Sequence, residues 1–383
     1  MMPDYQTRQN LIDRVLQLQG NRAALDDEKA LRKLILNVVL DHFAGSRLGL
    51  LELQSVVDRL YDAMRGLDLL QPLMDDPRVT EIMVNGPGSI FIERGGRISP
   101  CDLKFDNPEH LSGMIGRYFG QANRQINEKN PVGDMRLADG CRVHAVLPPV
   151  APEGPVISIR KFTGIRPDIE ALLEARFLTA GMADFLKAAV QQRQNIFISG
   201  GTGTGKTTFL NALSAFIPAG ERVITIEDAA ELDLQGSPNR VRLESRQAGP
   251  DGRGEVSLSD LIRSALRMRP DRILVGEVRG REVFPMLQAM NTGHPGSMST
   301  GHANSAAEML NRLGLMVLME VSLPWDAIVR LVSAALQLII HIERDVDGRR
   351  RIVEICHIRP GEGPSFQLEP IFKTSGGDQY GAG

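Results

Sequence analysis

Apolar positions repeat at helical spacing in the first part of the chain. Leu31, Leu34, Ile35, Val38 and Val39 form one stripe, and Leu50, Leu53, Val56, Val57 and Leu60 form another. Steps of three and four residues place each set on one helix face, so residues 1–70 are expected to pack as a small helical bundle. From Val79 the texture changes. "VTEIMV", "NGPG", "SIFIE" and "RGGR" read as strand, turn, strand and turn, and "CRVHAVLPPV" and "PVISIRKF" add strands. Glycine and asparagine supply the turn conformations that such hairpins need. Residues 71–162 are therefore expected to form a mixed α/β domain, and Gly164 and Pro167 mark 163–177 as a linker.

Beyond the linker, short apolar runs alternate with helical stretches. "NIFISG", "VITIED", "RILVGE" and "GSMST" are each followed by a helical segment, one of them near 258–268, and Pro285 is expected to interrupt the helix after Glu277. Runs that are apolar throughout suit strands buried on both faces, so 178–372 is expected to be an α/β domain with a mainly parallel sheet. The tail 373–383, "TSGGDQYGAG" at its end, reads as disordered.

Composition narrows what this scaffold can do. The chain has 383 residues, 42% of them hydrophobic and 24% charged, which is enough for two or three cores. A net charge of -3 and 5% aromatic residues give neither the electrostatic drive nor the stacking surface of a nucleic-acid binder. Three widely spaced cysteines without a CxxC fit a reducing compartment such as the cytosol. The start "MMPDYQTRQN" has no apolar signal core, and "WDAIVRLVSAALQLIIHIE" is broken by Asp326, Arg330 and Gln337, so no membrane-spanning segment is expected.

The sharpest chemistry is "GGTGTGKTT", residues 200–208, between an apolar strand and the helix "FLNALSAF". Gly201, Thr202, Gly203, Thr204, Gly205, Lys206, Thr207 and Thr208 are the candidate nucleotide-binding residues. Glycines let successive N–H groups converge on phosphate, and the helix N-terminus adds partial positive charge. Lys206 is expected at the β and γ phosphates and Thr207 on Mg2+, which makes ATP and Mg2+ the expected cofactors. Hydrolysis also needs a carboxylate to orient water. "VITIEDAAEL" delivers Glu227, with Glu231 a turn later, and "RILVGEVRG" delivers Glu277 after a strand with glycine at 276. Ligands of open α/β sheets bind at the carboxyl ends of strands, which brings all three to the phosphates. Glu277 is also a candidate to reach the metal through water.

"TGHPGSMSTGHANS" contributes two of the seven histidines. His302 is expected just beyond the strand, beside the γ-phosphate, and His294 in the turn before it. A zinc pair is the other reading, which the eight-residue separation and the lack of a nearby cysteine disfavour.

Walker A "GGTGTGKTT", an Asp box "TIEDAAEL", an atypical Walker B "LRMRPDRILVGEVRG" and a His box "TGHPGSMSTGHANS" occur here in that order. With these four signatures the chain, over about residues 70–360, resembles the type II/IV secretion-system ATPases, most closely the CpaF-type branch of tight-adherence (Tad/Flp) pilus assembly. "EIMVNGPGSIFIERGGRI" and "GCRVHAVLPPVAPEGPVISIRKF" resemble that family's N-terminal domain. The resemblance implies a RecA-like P-loop NTPase motor preceded by a PAS-like domain. It also implies a homo-hexamer that turns ATP hydrolysis into mechanical work, cytoplasmic but peripheral to the bacterial inner membrane, where it meets platform proteins of a pilus or secretion system. Arg142 and Arg160 resemble the family's N-terminal-domain phosphate contacts, and Arg240, Arg242 and Arg246 are further candidates on the segment after the Asp box. A nucleic-acid translocating motor and a noncatalytic nucleotide-binding regulator remain as alternatives.

Overall fold

The computed structural model describes residues 4–19, 27–44, 49–122, 124–137, 140–161, 167–234, 236–246, 253–345, 348–361 and 365–374. Two compact units divide at 164/165. Residues 163–166 of the expected linker and 375–383 of the expected tail lie outside the described residues.

The first unit opens with helices α1 (Tyr5–Gln19), α2 (Glu28–His42) and α3 (Leu50–Arg65). Their apolar stripes meet in one core built from Leu11, Val15, Leu31, Ile35, Val39, Val56 and Leu60. Asp27 caps α2, its side chain accepting from the main chain of Lys29 and Ala30. After the short helix α4 (Gln71–Asp75) come strands β1 (Val79–Asn85), β2 (Ile90–Arg94) and β3 (Arg97–Cys101). Helix α5 (Pro108–Gln121) and strands β4 (Val132–Arg136), β5 (Arg142–Val146) and β6 (Val156–Arg160) complete the unit. The six strands form one antiparallel sheet in the order β3-β2-β1-β6-β5-β4. Alternate residues Ile82, Val84, Val143, Ala145, Ile157 and Ile159 bury one face in a core shared with Leu111, Met114, Ile115 and Phe119 of α5. The period of two turns Glu81, Arg142, His144, Ser158 and Arg160 to the opposite face.

The second unit starts with α6 (Ile169–Glu174), which falls inside the stretch read as a linker. Ile169 and Leu172 are buried in this unit's core, so local apolar spacing turns the stretch into a packed helix. Then follow α7 (Ala180–Gln191), β7 (Ile196–Gly200), α8 (Lys206–Ser214), β8 (Val223–Glu227), β9 (Arg240–Glu244), α9 (Leu258–Ala265) and β10 (Arg272–Val275). The chain continues through α10 (Val283–Asn291), β11 (Met298–His302), α11 (Ala306–Leu318), α12 (Trp325–Ala335), β12 (Leu338–Arg344), β13 (Arg350–Pro360) and β14 (Phe366–Lys373). The sheet order is β14-β13-β12-β7-β11-β10-β8-β9. From β12 to β9 every pairing is parallel, while β13 and β14 are antiparallel additions. One face packs on α7 through Leu186 and Val190 and on α8 through Phe209, Leu210 and Leu213. The other packs on α9 to α12 through Ile262, Leu287, Leu310 and Val332. Both faces are covered, which is why the strands are apolar throughout.

Pro285 does not interrupt α10. It occupies the third residue of the helix, where the missing N–H would have had no partner within the helix. Strand β11 runs to His302 itself and pairs with β7 up to Gly200, two residues further than "GSMST" suggested.

Candidate nucleotide site at the carboxyl ends of β7, β8, β10 and β11

The loop 201–205 leaves β7 at the centre of the parallel sheet and enters α8, whose N-cap is Gly205 at φ +93°. Gly203 at φ +71° also takes a left-handed conformation that a side chain would oppose. Gly200 is required for another reason: a Cβ there would run into the Ile342 carbonyl and lie 2.8 Å from Thr204 Oγ1. Thr204 is buried, and its hydroxyl donates to Gly201 O at 3.0 Å, which sets the loop's curvature. The N–H groups of the first turn of α8 have no acceptors within the helix and make this terminus an anion site. Thr202 is exposed, and Thr207 and Thr208 are half-buried.

Lys206 is 5% exposed. Its ammonium donates to Gly200 O at 3.1 Å and Gly201 O at 2.8 Å, and its third direction meets His302 Nδ1 at 3.2 Å. The other ring nitrogen of His302, Nε2, lies 3.1 Å from Glu277 Oε1. The same oxygen accepts from Arg279 Nε at 2.6 Å. A relay of Lys206, His302, Glu277 and Arg279 thus crosses the ends of three strands. Burial lowers the His302 pKa first, and the Lys206 charge adds to it, against the opposing pull of Glu277. A neutral ring with the proton on Nε2 satisfies both neighbours, accepting from the lysine and donating to the glutamate. Burial would raise the Glu277 carboxyl, but the Arg279 hydrogen bond and charge, with His302 and Lys206, hold it below its ordinary value. This favours the ionised carboxylate.

Glu227 ends β8 and is 3% exposed. Its Oε1 accepts from the main chain of Glu231 at 2.9 Å and Leu232 at 3.0 Å, and its Oε2 is buried with no hydrogen-bond partner. Burial, the largest influence, raises its pKa. The arrangement anchors the loop that follows β8. Glu231, half-buried, enters this bonding through its main chain. Arg240 and Arg242 of the same region donate to the carbonyls of Leu234 at 2.8 Å and Ala230 at 3.4 Å, and Arg246 to Gly254 O at 2.6 Å. These three fasten loops. His294 sits in the turn before β11, with Nδ1 3.3 Å from Ala289 O, while its carbonyl accepts from Ser297 Oγ at 2.8 Å.

In the first unit, Arg142 and Arg160 are direct register partners on β5 and β6, and Arg136 of β4 partners Arg142. Register partners point to one face, so three guanidinium groups stand in a row, followed by Glu81 on β1. The alternation places this row on the face opposite α5. Arg136 and Arg279 were not singled out in the sequence. Arg279 carried a signal, since it stands two residues from Glu277; Arg136 became visible only through register.

The loop geometry, the half-buried Thr207 hydroxyl and the ionised Glu277 fit a Mg2+-bound nucleoside triphosphate. Among the described residues no helix is long and apolar enough to cross a membrane.

Known proteins resemble this chain in sequence and in fold. VirB11 of the Brucella suis type IV secretion system is 32% identical over 349 residues, covering 84% of this chain and 97% of that one. A Mycobacterium tuberculosis protein assigned to conjugal transfer is 36% identical over 310 residues, covering 79% of this chain and 88% of its own. Among solved structures, the pilus retraction motor PilT with bound ADP superposes with a TM-score of 0.52 at 20% identity, covering 81% of this chain and 83% of that one. The Legionella pneumophila ATPase DotB gives 0.51 at 22% identity, covering 75% and 79%. At these identities the solved structures speak for the fold, a RecA-like α/β unit preceded by an N-terminal domain. The profile of the type II/IV secretion system protein family matches residues 64–360, and the chain belongs to that family.

Proposed function

We propose that the protein is an ATP hydrolase, working as a homo-hexamer, that converts hydrolysis into mechanical work in a pilus or secretion machine at the cytoplasmic face of the bacterial inner membrane. The observation that carries this reading is the contact of Lys206 with His302 and of His302 with Glu277. It brings a phosphate-binding cation, a hydrogen-bonding ring and an ionised carboxylate to one sheet edge. Lys206 exchanges its carbonyl partners for the β and γ phosphates, Glu277 orients the attacking water, and His302 stabilises charge developing on the γ-phosphate. Mg2+ held by Thr207, with Glu277 reached through water, would neutralise phosphate charge.

Within the family, the four signatures and the N-terminal motifs favour Tad/Flp pilus assembly, with inner-membrane platform proteins as partners. The resemblance to VirB11 leaves secretion as the second reading. Phosphate release from ATP should be measured alone, with single-stranded DNA and with anionic vesicles. Stimulation by DNA would favour a translocating motor, and absence of hydrolysis under all three conditions would favour a regulator. Lys206→Ala should abolish hydrolysis and leave the fold intact, and undiminished turnover in that variant would sink the assignment.

A further inference from the structure

Strand β12 reads "LIIHIER", and its single histidine, His341, is 2% exposed among isoleucines. An imidazole buried in such a setting is costly unless both nitrogens find partners. Nδ1 accepts from Ser199 Oγ at 2.7 Å. Ser199 is its register partner on β7 and directly precedes Gly200 at the root of the phosphate loop. The ring also bonds the main chain of Asn304, two residues beyond His302. Burial, the largest influence, lowers the His341 pKa. Glu343 on its own strand, Glu354 on β13, Glu308 on α11 and the Asn304 bond oppose this. A neutral ring accepts on one side and donates on the other, which is what Ser199 and the Asn304 carbonyl call for. Glu354 adds a second tether, accepting from Ala306 N at 3.3 Å.

We propose that His341 is a positioning residue that fixes the spacing between the phosphate loop and the His302 loop. The inference rests on the ATPase reading above and concerns how that site is held. The relevant spacing is the 3.2 Å between Lys206 Nζ and His302 Nδ1, in a geometry where a displacement of about 1 Å can cost two orders of magnitude in rate. Leucine at 341 alone would strand the buried Ser199 hydroxyl, whereas His341→Leu together with Ser199→Ala replaces both partners by apolar groups and should be nearly neutral in stability.

The test compares His341→Leu and His341→Gln with the unaltered protein. The leucine variant should melt a few degrees lower because of the stranded hydroxyl and bind a fluorescent ADP within about twofold, while kcat falls about tenfold. Glutamine, which can accept and donate across the same gap, should restore most of the rate. Ser199→Ala should lose as much as His341→Leu, and the double variant no more. Amide exchange over residues 303–306 should quicken in the leucine variant and slow again with glutamine, a readout independent of turnover. Wild-type kcat in His341→Leu overturns the inference. So does a loss of affinity as large as the loss of rate, or unchanged exchange. Failure of the unaltered protein to hydrolyse ATP overturns the ATPase reading instead, and the exchange data still judge the tether.

Discussion

The side chain of Glu227 fills the space that any side chain at 276 would need. A Cβ on Gly276 would lie 2.8 Å from Glu227 Cγ and 3.2 Å from its Oε1. The glycine where a Walker B strand ordinarily carries aspartate is thus a packing requirement set by the neighbouring strand. Gly276→Ala should lower stability by about 1–3 kcal/mol through overpacking and reduce turnover, because Glu277 is the next residue. Thermal denaturation of Gly276→Ala, Glu227→Ala and the double variant checks it. The double variant should be more stable than the sum of the single losses, and strict additivity would remove the packing explanation.

Glu277→Gln keeps size and hydrogen-bonding capacity but removes the charge proposed to orient water. Turnover should fall about 100-fold or more while nucleotide binding persists. Equilibrium binding of ATP beside steady-state phosphate release separates the two, and a joint loss would assign Glu277 to structure or to the metal.

His302→Ala removes the ring between Lys206 and Glu277. Turnover should drop about tenfold or more, with affinity for ADP changed by no more than about threefold. His294→Ala, which loosens a turn remote from this contact, should act mainly on cooperativity, read as the Hill coefficient at concentrations where rings persist. Intact hydrolysis in His302→Ala with its loss in His294→Ala would reverse the two roles.

Arg272 is fully buried and reaches Glu221 through Nη2 at 3.2 Å and Val190 O through Nη1 at 2.7 Å. Arg272→Ala removes a fully buried cation from this pair, leaves Glu221 with Arg193 alone, and should cost up to about 3–5 kcal/mol. Burial alone would raise the Glu221 carboxyl, yet the Arg272 hydrogen bond and charge, with Arg193, hold it below its ordinary value. The folded pKa is therefore the lower one. This contribution is fully present above the unfolded value, about 4.3, and is lost as pH falls through the folded value. Urea unfolding at neutral and acid pH should show a smaller acid loss in Glu221→Gln, and an equal loss would rule the pair out as its source.

Much of this protein is written in its local sequence. The stripes Leu31 to Val39 and Leu53 to Leu60 became the bundle core, with Leu50 at the start of α3 left exposed, because steps of three and four residues are a property of one helix and need no partner to be read. Strands β7, β8 and β10 were legible as runs buried on both faces, and the phosphate loop from glycines whose conformations the backbone itself dictates. Which groups touch was decided elsewhere, because neighbours in a parallel sheet are set by strand order, and β7 lies between β11 and β12 far along the chain. That order brings His302 to Lys206 across 96 positions and His341 to Ser199 across 142. Register did the same for Arg136, Arg142 and Arg160, which three separate strands carry to one row. Local pattern fixes what each segment becomes; only the packed sheet, by choosing neighbours, decides which of its residues act together.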